Sequence, residues 1–245
     1  MGVTGDFLRG RGRDTLSAQE VEILEKAVDR VDTLPARSVV TRRGDRLRES
    51  TLLVDGAMCR YLDARDGYRQ LLAYHVPGDF VDMHGYTLHR LDHDVATIVE
   101  SRVATIPHDR IDAMMRDHPR LAWMLWRSTL LDAAMHREWI FRLGRLDAAG
   151  RLAHFLCEVS ERMEAVGRVK EGAFALPLTQ QDLGEACGLT SVHVNRTLRR
   201  LREDGIADVA RGEARIFDKP RLARVAEFDS DYLYLDGGPW TGPGD

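Results

Sequence analysis

Residues 179–200 read Thr-Gln-Gln-Asp-Leu-Gly-Glu-Ala-Cys-Gly-Leu-Thr-Ser-Val-His-Val-Asn-Arg-Thr-Leu-Arg-Arg. Thr179 is placed to cap a helix whose apolar positions are Leu183, Ala186 and Cys187. Gly188 falls where that helix must stop, because glycine reaches the left-handed conformation cheaply. Leu189 plugs the turn. Thr190 caps a second helix with Val194, Thr197, Leu198 and Leu201 on its buried face, and Gly184 is small where a second helix must cross closely. Two short helices about a glycine turn form a helix-turn-helix, whose second helix can enter the major groove of DNA. Its outer face carries Ser191, Val192, His193, Asn195, Arg196, Arg199, Arg200 and Arg202, with no acidic residue between 191 and 202. Arg can pair with guanine in a bidentate way, Asn with adenine, and Val can touch a thymine methyl. The pattern predicts base contacts from Ser191, Val192, Asn195 and above all Arg196, with His193 on a base or a phosphate. Thr179, Gln181, Arg199 and Arg200 are expected on phosphates, which position a protein without specifying sequence.

Downstream, Gly205–Ala210 and Ala214–Asp218 flank Arg211-Gly212-Glu213, a pattern for a β-hairpin. Directly after the second helix it makes a wing, with Arg211 and Arg215 as backbone contacts. A closing helix follows Lys219-Pro220 and runs to Phe228. A Gly- and Pro-rich tail, Asp236 to Asp245, is expected to be mobile, with Tyr232, Tyr234 and Trp240 as candidates to dock it. Upstream, Asp147 caps a helix carrying Leu152, Phe155, Leu156 and Val159, and Phe174–Leu178 reads as a short strand.

Between Val39 and Pro107, short apolar runs alternate with Gly/Asp turns: Val39-Val40, Leu52–Val54, Met58–Leu62, Leu71–Val76, Phe80-Val81, Ala96–Val99 and Val103–Ile106. This texture predicts an antiparallel sandwich or barrel, with the polar stretch His84–Asp94 as a loop or short helix. Residues 1–13, rich in Gly and Arg, are expected to fray. Asp14–Val31 reads as a helix opened by a Ser17/Glu20 capping box. Asp109–Asp117 reads as a short helix. A long one then runs from Pro119 to about Leu146, and its stripe of Leu121, Leu125, Ser128, Leu131, Met135, Trp139, Arg142 and Leu146 points to a parallel two-fold dimer. The fold class is therefore α+β: an antiparallel β-roll (14–118), a dimerisation helix (119–146), a winged helix-turn-helix (147–230) and a tail (231–245).

A β-roll, a long helix and a winged helix-turn-helix, in that order and at these lengths, resemble the Crp/Fnr family of bacterial transcription regulators. The resemblance covers about residues 14–230 and is most specific from Leu178-Thr-Gln-Gln-Asp-Leu through Val192-His-Val-Asn-Arg-Thr-Leu-Arg-Arg-Leu. Asp147-Ala-Ala-Gly-Arg-Leu-Ala matches the start of the family's DNA domain. It implies a homodimer on palindromic double-stranded DNA, recognition helices about 34 Å apart, bent DNA, and RNA polymerase as a possible partner. Cyclic-nucleotide-binding members carry Gly-Glu-Leu and, about ten residues on, Arg-Ser. Those positions fall on Asp82-Met83-His84 and Asp94-Val95. A carboxylate where the cyclic phosphate needs Arg repels it, so no cAMP binding is expected, and Asp82, Met83, His84 and Asp94 stand as the effector pocket of an unknown ligand. No Cys precedes Cys59, against an iron–sulfur cluster. The family's usual glutamate four residues before Arg196 is Val192, so the operator is expected to differ at that base pair.

The 245 residues carry a net charge of −4, and even residues 147–245 hold 13 basic against 17 acidic side chains. Attraction to DNA must then come from one oriented surface rather than from the global sum. Cys59, Cys157 and Cys187 suggest neither a disulfide framework nor a zinc cluster. No apolar run reaches the ~18 residues of a membrane span, so a cytoplasmic protein with no membrane contact is expected. No cofactor, metal or enzymatic activity is expected. Three alternatives stay open: a regulator gated by a cyclic nucleotide after all, a cupin-like metal enzyme using histidines and aspartates of 82–94 with an appended DNA domain, and an unregulated DNA binder. A haem held among His75, His84 and Cys59, and a redox switch at Cys187, are further readings.

Overall fold

The computed structural model describes residues 2–235. The Gly- and Pro-rich tail from Asp236, with Trp240, lies outside them. The described residues pack as two units, 2–60 with 75–133 and 234–235, and 61–74 with 134–233. This division differs from the one expected. The segment 61–74 packs with the C-terminal unit, and the long helix changes unit after Ala133. The architecture is α+β.

In the first unit, helix α1 (Ala18–Ala27) opens with the expected capping box: Glu20 N–H donates to Ser17 Oγ at 3.2 Å and Ser17 N–H to Glu20 Oε2 at 2.7 Å. It stops at Ala27 rather than Val31. Arg30–Leu34 forms strand β1, paired antiparallel with β7 (Ser101–Pro107) from Arg30↔Thr105 to Leu34↔Ser101. Val31 fits the helical spacing of α1, but the ladder offered by β7 overrides that weak local preference. The other strands of the roll are β2 (Val39–Thr41), β3 (Glu49–Asp55) and β6 (Asp94–Thr97), with β4 (Met58–Asp63) and β5 (Arg69–His75) falling largely in the segment assigned to the second unit. One sheet has the order β1-β7-β3 and the other β2-β6-β4-β5. Phe80 contributes only an isolated bridge to Leu52. Successive residues of a strand face opposite sides, so Leu52 joins one buried cluster with Ala104, Ile106, Ile111 and Leu121, and Leu53 joins another with Met58, Val81, Leu91 and Val95.

The N-terminal residues do not fray. Phe7 and Leu8 are buried in the first cluster, and Phe7 meets Phe80 edge-on at 5.2 Å. The Glu25 carboxylate accepts from Val3 N at 2.9 Å, Thr4 N at 2.8 Å and Thr4 Oγ at 2.5 Å. Gly78, at φ +95°, is required by this docking: a Cβ there would lie 2.2 Å from the Asp6 carbonyl oxygen. A Gly/Arg-rich composition hid two apolar anchors and a carboxylate that together offset the cost of ordering the segment. Short helix α2 (Gly85–Leu88) lies between Phe80 and β6. Helix α3 (His108–Asp117) leads into α4 (Pro119–Arg145), which spans 27 residues.

In the second unit, Asp147 caps α5 (Ala148–Ala165), accepting from Gly150 N at 2.8 Å. Leu152, Phe155, Leu156 and Val159 are buried as the spacing requires. Strand β8 (Ala173–Ala175), helices α6 (Gln180–Cys187) and α7 (Ser191–Glu203), strands β9 (Ala207–Ala210) and β10 (Glu213–Ile216), and helix α8 (Lys219–Ala226) follow. The sheet order is β8-β10-β9. At the centre of this unit is a buried polar group that sequence reasoning missed. Glu158 accepts from Trp139 Nε1 at 3.0 Å, Tyr232 OH at 3.1 Å and Arg162 Nη1 at 3.2 Å. Arg162 also donates to the Tyr74 carbonyl at 2.9 Å. Tyr232, expected to help dock the tail, makes this contact with Glu158.

Candidate nucleic-acid interface

The helix-turn-helix forms from local signals. Thr179 Oγ accepts from Asp182 N at 3.1 Å, and Asp182 Oδ2 accepts from Thr179 N at 2.7 Å, closing a capping box on α6. Gly188 ends α6 at φ +62°. The closest approach at Gly184 comes from the turn rather than from α7: a Cβ there would stand 2.4 Å from the Leu189 carbonyl oxygen, while Leu189 N–H donates to Gly184 O at 2.9 Å. Thr190 caps α7 through His193 N at 3.3 Å. Val194, Thr197, Leu198 and Leu201 are buried, as the spacing requires.

Three groups outside the motif hold it in place. Arg142 is fully buried, lies over the Trp139 ring at 4.0 Å and donates from Nη2 to the Ala186 carbonyl at 2.9 Å, near the end of α6. From the β4–β5 hairpin, Gln70 Nε2 donates to the Glu185 carbonyl and Tyr68 OH to the Leu189 carbonyl at 3.4 Å. None was legible in the sequence, because each depends on a backbone carbonyl distant in the chain.

Every base contact expected from α7 is exposed: Ser191, Val192, His193, Asn195 and Arg196, with Val192 at 75%. Among the arginines of α7, Arg199 pairs with Glu203 at 3.9 Å, Arg200 with Asp204 at 3.8 Å and Arg202 with Asp208 at 3.8 Å. Arg196 has no acidic partner among the described residues. The helix is therefore graded. Its N-terminal half presents the exposed Arg196, one turn after Val192 and next to Asn195, and its C-terminal half presents arginines tied loosely to carboxylates. Asn195 Nδ2 approaches Gln180 Oε1 at 3.4 Å. Thr179 and Gln181 are exposed at the start of α6, and Gln181 Nε2 donates to Glu185 Oε1 at 2.9 Å. The wing turns at Arg211 (φ +55°) and Gly212 (φ +79°), with Glu213 opposite Ala210. Both central residues take positive φ, the geometry of a type I′ turn. Arg211 and Arg215 are exposed, and Arg215 lies 3.4 Å from Glu213.

The stripe expected to join two protomers is mostly occupied within one. Leu121, Leu125 and Leu131 are buried in the first unit, and Trp139 is buried against Glu158 in the second. Ser128 and Met135 are only partly covered, and Ser128 Oγ donates to the Leu125 carbonyl at 2.6 Å. Helix α4 leaves Phe141 outward at 41% exposure and, more fully, Trp126 at 61%, Leu130 at 53% and Ile140 at 73%. With Ala133, Arg137 and Gly144 the last three recur at alternating four- and three-residue spacings. The helix has two apolar stripes, and the sequence reading took the one that the protomer's own cores use.

The expected effector residues divide as well. Asp82 is buried, accepts from Thr51 N at 2.7 Å and has its pKa pushed up to about 6 by desolvation. Met83 is part of the apolar core, and Asp94 accepts from Arg43 N at 2.7 Å. Those three serve the fold. His84 instead faces His93, ring centroids 5.2 Å apart, and His93 Nδ1 pairs with Asp92 at 2.7 Å. Arg60, also buried, is neutralised by Asp132 at 2.6 Å and donates to the Val81 carbonyl at 2.7 Å. All three cysteines are buried. Burial pushes the Cys187 pKa up to about 11 and that of Cys157 to about 12, which keeps both thiols protonated and argues against a ready redox switch. No helix among the described residues is long and apolar enough to cross a membrane.

Two family models match the chain: a cyclic nucleotide-binding domain over residues 31–118 and a Crp-like helix-turn-helix domain over residues 150–225. Among curated relatives, the anaerobic regulatory protein of Haemophilus influenzae is 27% identical over 195 residues, covering 80% of this chain and 76% of its own. The transcriptional activator FnrA of Stutzerimonas stutzeri is 24% identical over 212 residues, 86% of each chain. Among solved structures, FixK2 from Bradyrhizobium japonicum is similar with a TM-score of 0.73 at 23% identity, covering 80% of this chain and 96% of that one.

Proposed function

The chain belongs to the Crp/Fnr family of transcription regulators, and from that premise we propose that it acts as a homodimer reading a two-fold palindrome. The observation that carries this reading is the capped, exposed N-terminal half of α7 with Arg196 unengaged. Arg196 takes a guanine edge, Asn195 and Ser191 read beside it, Val192 contacts a thymine methyl, and His193 reaches a base or a phosphate. Arg199, Arg200, Thr179 and Gln181 contact phosphates, as do Arg211 and Arg215 from the wing. The loose pairs at 3.8–3.9 Å exchange a nearby carboxylate for a phosphate when DNA arrives.

The protomers meet along Trp126, Leu130, Ala133 and Ile140 of α4. Exposed apolar side chains at heptad spacing are what a coiled-coil seam requires. The first unit is a sensor whose effector is not a cyclic nucleotide. The protein works without catalysis, in the cytoplasm, with RNA polymerase as a partner on the DNA.

Selection of bound sites from random DNA tests the reading. The expected product is an inverted repeat with half-sites about one helical turn, roughly 34 Å, apart. Recovery of unrelated sequences, or of single unpaired half-sites, contradicts it.

A further inference from the structure

His84 immediately precedes α2, and Asp92 and His93 immediately precede β6. One nitrogen of each imidazole and one carboxylate oxygen of Asp92 lie within 4.8 Å of one another. Nε2 of both His84 and His93 is buried without a hydrogen-bond partner, and His93 is only 6% exposed. A buried polar atom left unsatisfied costs about 1–3 kcal/mol. Two such atoms on adjacent imidazoles therefore call for a ligand that takes both lone pairs. We propose that the first unit binds one divalent transition-metal ion through His84, His93 and Asp92.

The surroundings are those of a prepared site. Leu91 is buried between the two ligand segments, Leu47 N–H donates to His89 O at 3.0 Å, and Gly44 N–H donates to Leu91 O at 2.8 Å. A Cβ on Gly85 would meet Leu47 Cδ1 at 2.4 Å, so α2 is seated tightly beside His84. The chain between the two histidines is thus held by backbone contacts at His89 and Leu91. Around a tetrahedral ion with metal–nitrogen distances of about 2.0–2.1 Å, neighbouring donors stand roughly 3.4 Å apart. The remaining closure falls to Asp92, whose side chain is 88% exposed on the rim, where an ion enters.

Charge is also suited to a cation. The Arg60 guanidinium is paired with Asp132, which leaves the Asp92 carboxylate in excess. Two imidazoles and one carboxylate favour zinc, cobalt, nickel or ferrous iron over calcium and magnesium. Three protein ligands leave a coordination position for water or an exogenous ligand. The site does not depend on the DNA reading, since it requires neither a dimer nor an operator.

The test is titration of chelator-stripped, full-length protein with Zn2+ and with Co2+. One equivalent per chain is expected, with the visible d–d bands of a low-symmetry Co2+ site and no competition from Mg2+. Zn2+ should raise Tm by mass action. His84→Gln and His93→Gln should weaken binding by at least the roughly 10- to 100-fold seen for outer-shell changes, while His118→Gln leaves it unchanged. Asp92→Asn changes an exposed side chain and cannot unfold the roll; it should weaken Zn2+ at least tenfold with circular dichroism unaltered. No binding, or equal affinity in wild type, Asp92→Asn and the two folded histidine variants, overturns the proposal.

Discussion

Replacing Ile140 by Asp tests where two protomers meet. A fully buried Ile or Leu is worth roughly 1.5–3 kcal/mol. Ile140 has 73% of its surface still to bury, so closing a seam over it is worth about 1–2 kcal/mol per protomer on that scale. A two-fold interface counts the residue twice, and Ile140→Asp should cost about 2–4 kcal/mol, or roughly 30- to 1,000-fold in the dimer dissociation constant. The two introduced carboxylates add to that loss. Leu125→Ala is the matched control, because Leu125 lies in the core of the first unit. It should lower unfolding stability by about 2–5 kcal/mol through a cavity and leave dimerisation of the folded chain unchanged. Sedimentation equilibrium over a dilution series, with urea denaturation of the same samples, separates the effects. A weakened dimer in Leu125→Ala beside an unaffected one in Ile140→Asp would refute the outward stripe and restore the buried one.

Three further outcomes follow from the described contacts. Glu158→Gln leaves the buried Arg162 without its carboxylate and should cost about 3–5 kcal/mol in urea denaturation, against about 1 kcal/mol for Tyr232→Phe; equal small losses would contradict the network. His75 and His154 are buried with pKa values lowered to about 4. Both are neutral when folded and take up a proton near pH 6.5 when unfolded, so their contribution is intact above pH 6.5 and is lost as pH falls toward 4. His75→Leu should flatten the fall in stability by up to about 1.4 kcal/mol per pH unit in that window, and an unchanged slope would count against it. Gly184→Ala drives a Cβ against the Leu189 carbonyl, so it should lower Tm and abolish operator binding in a gel-shift assay; retained binding would mean that the turn gives way cheaply.

The helix-turn-helix was legible because its determinants are local. Thr179, Gly188 and Thr190 mark the helix ends, and Val194, Leu198 and Leu201 set the buried face, all within about two turns of the residues they organise. The strands of the roll were legible for the same reason, through turns at glycine and aspartate. β1 was not. Arg30–Leu34 is largely polar, and its strand conformation comes from β7, some seventy residues away. The docked N-terminus depends on Phe80 and Glu25. Periodicity shows that α4 has apolar faces, but only tertiary packing decides which is covered, and Trp126, Leu130 and Ile140 sit beside the reading rather than in it. The cluster of His84, Asp92 and His93 was visible as neighbouring letters. Its convergence required the fold of two loops around Leu91.

The central claim, that α7 reads DNA sequence through Arg196, is tested most directly by fluorescence anisotropy on the selected operator and on its single-base variants. Arg196→Ala should lose about 1–3 kcal/mol, roughly 5- to 150-fold, on the operator. It should also bind all four bases alike at one position in each half-site, with nonspecific affinity nearly unchanged. Unaltered affinity and unaltered base preference in a folded Arg196→Ala dimer would contradict it.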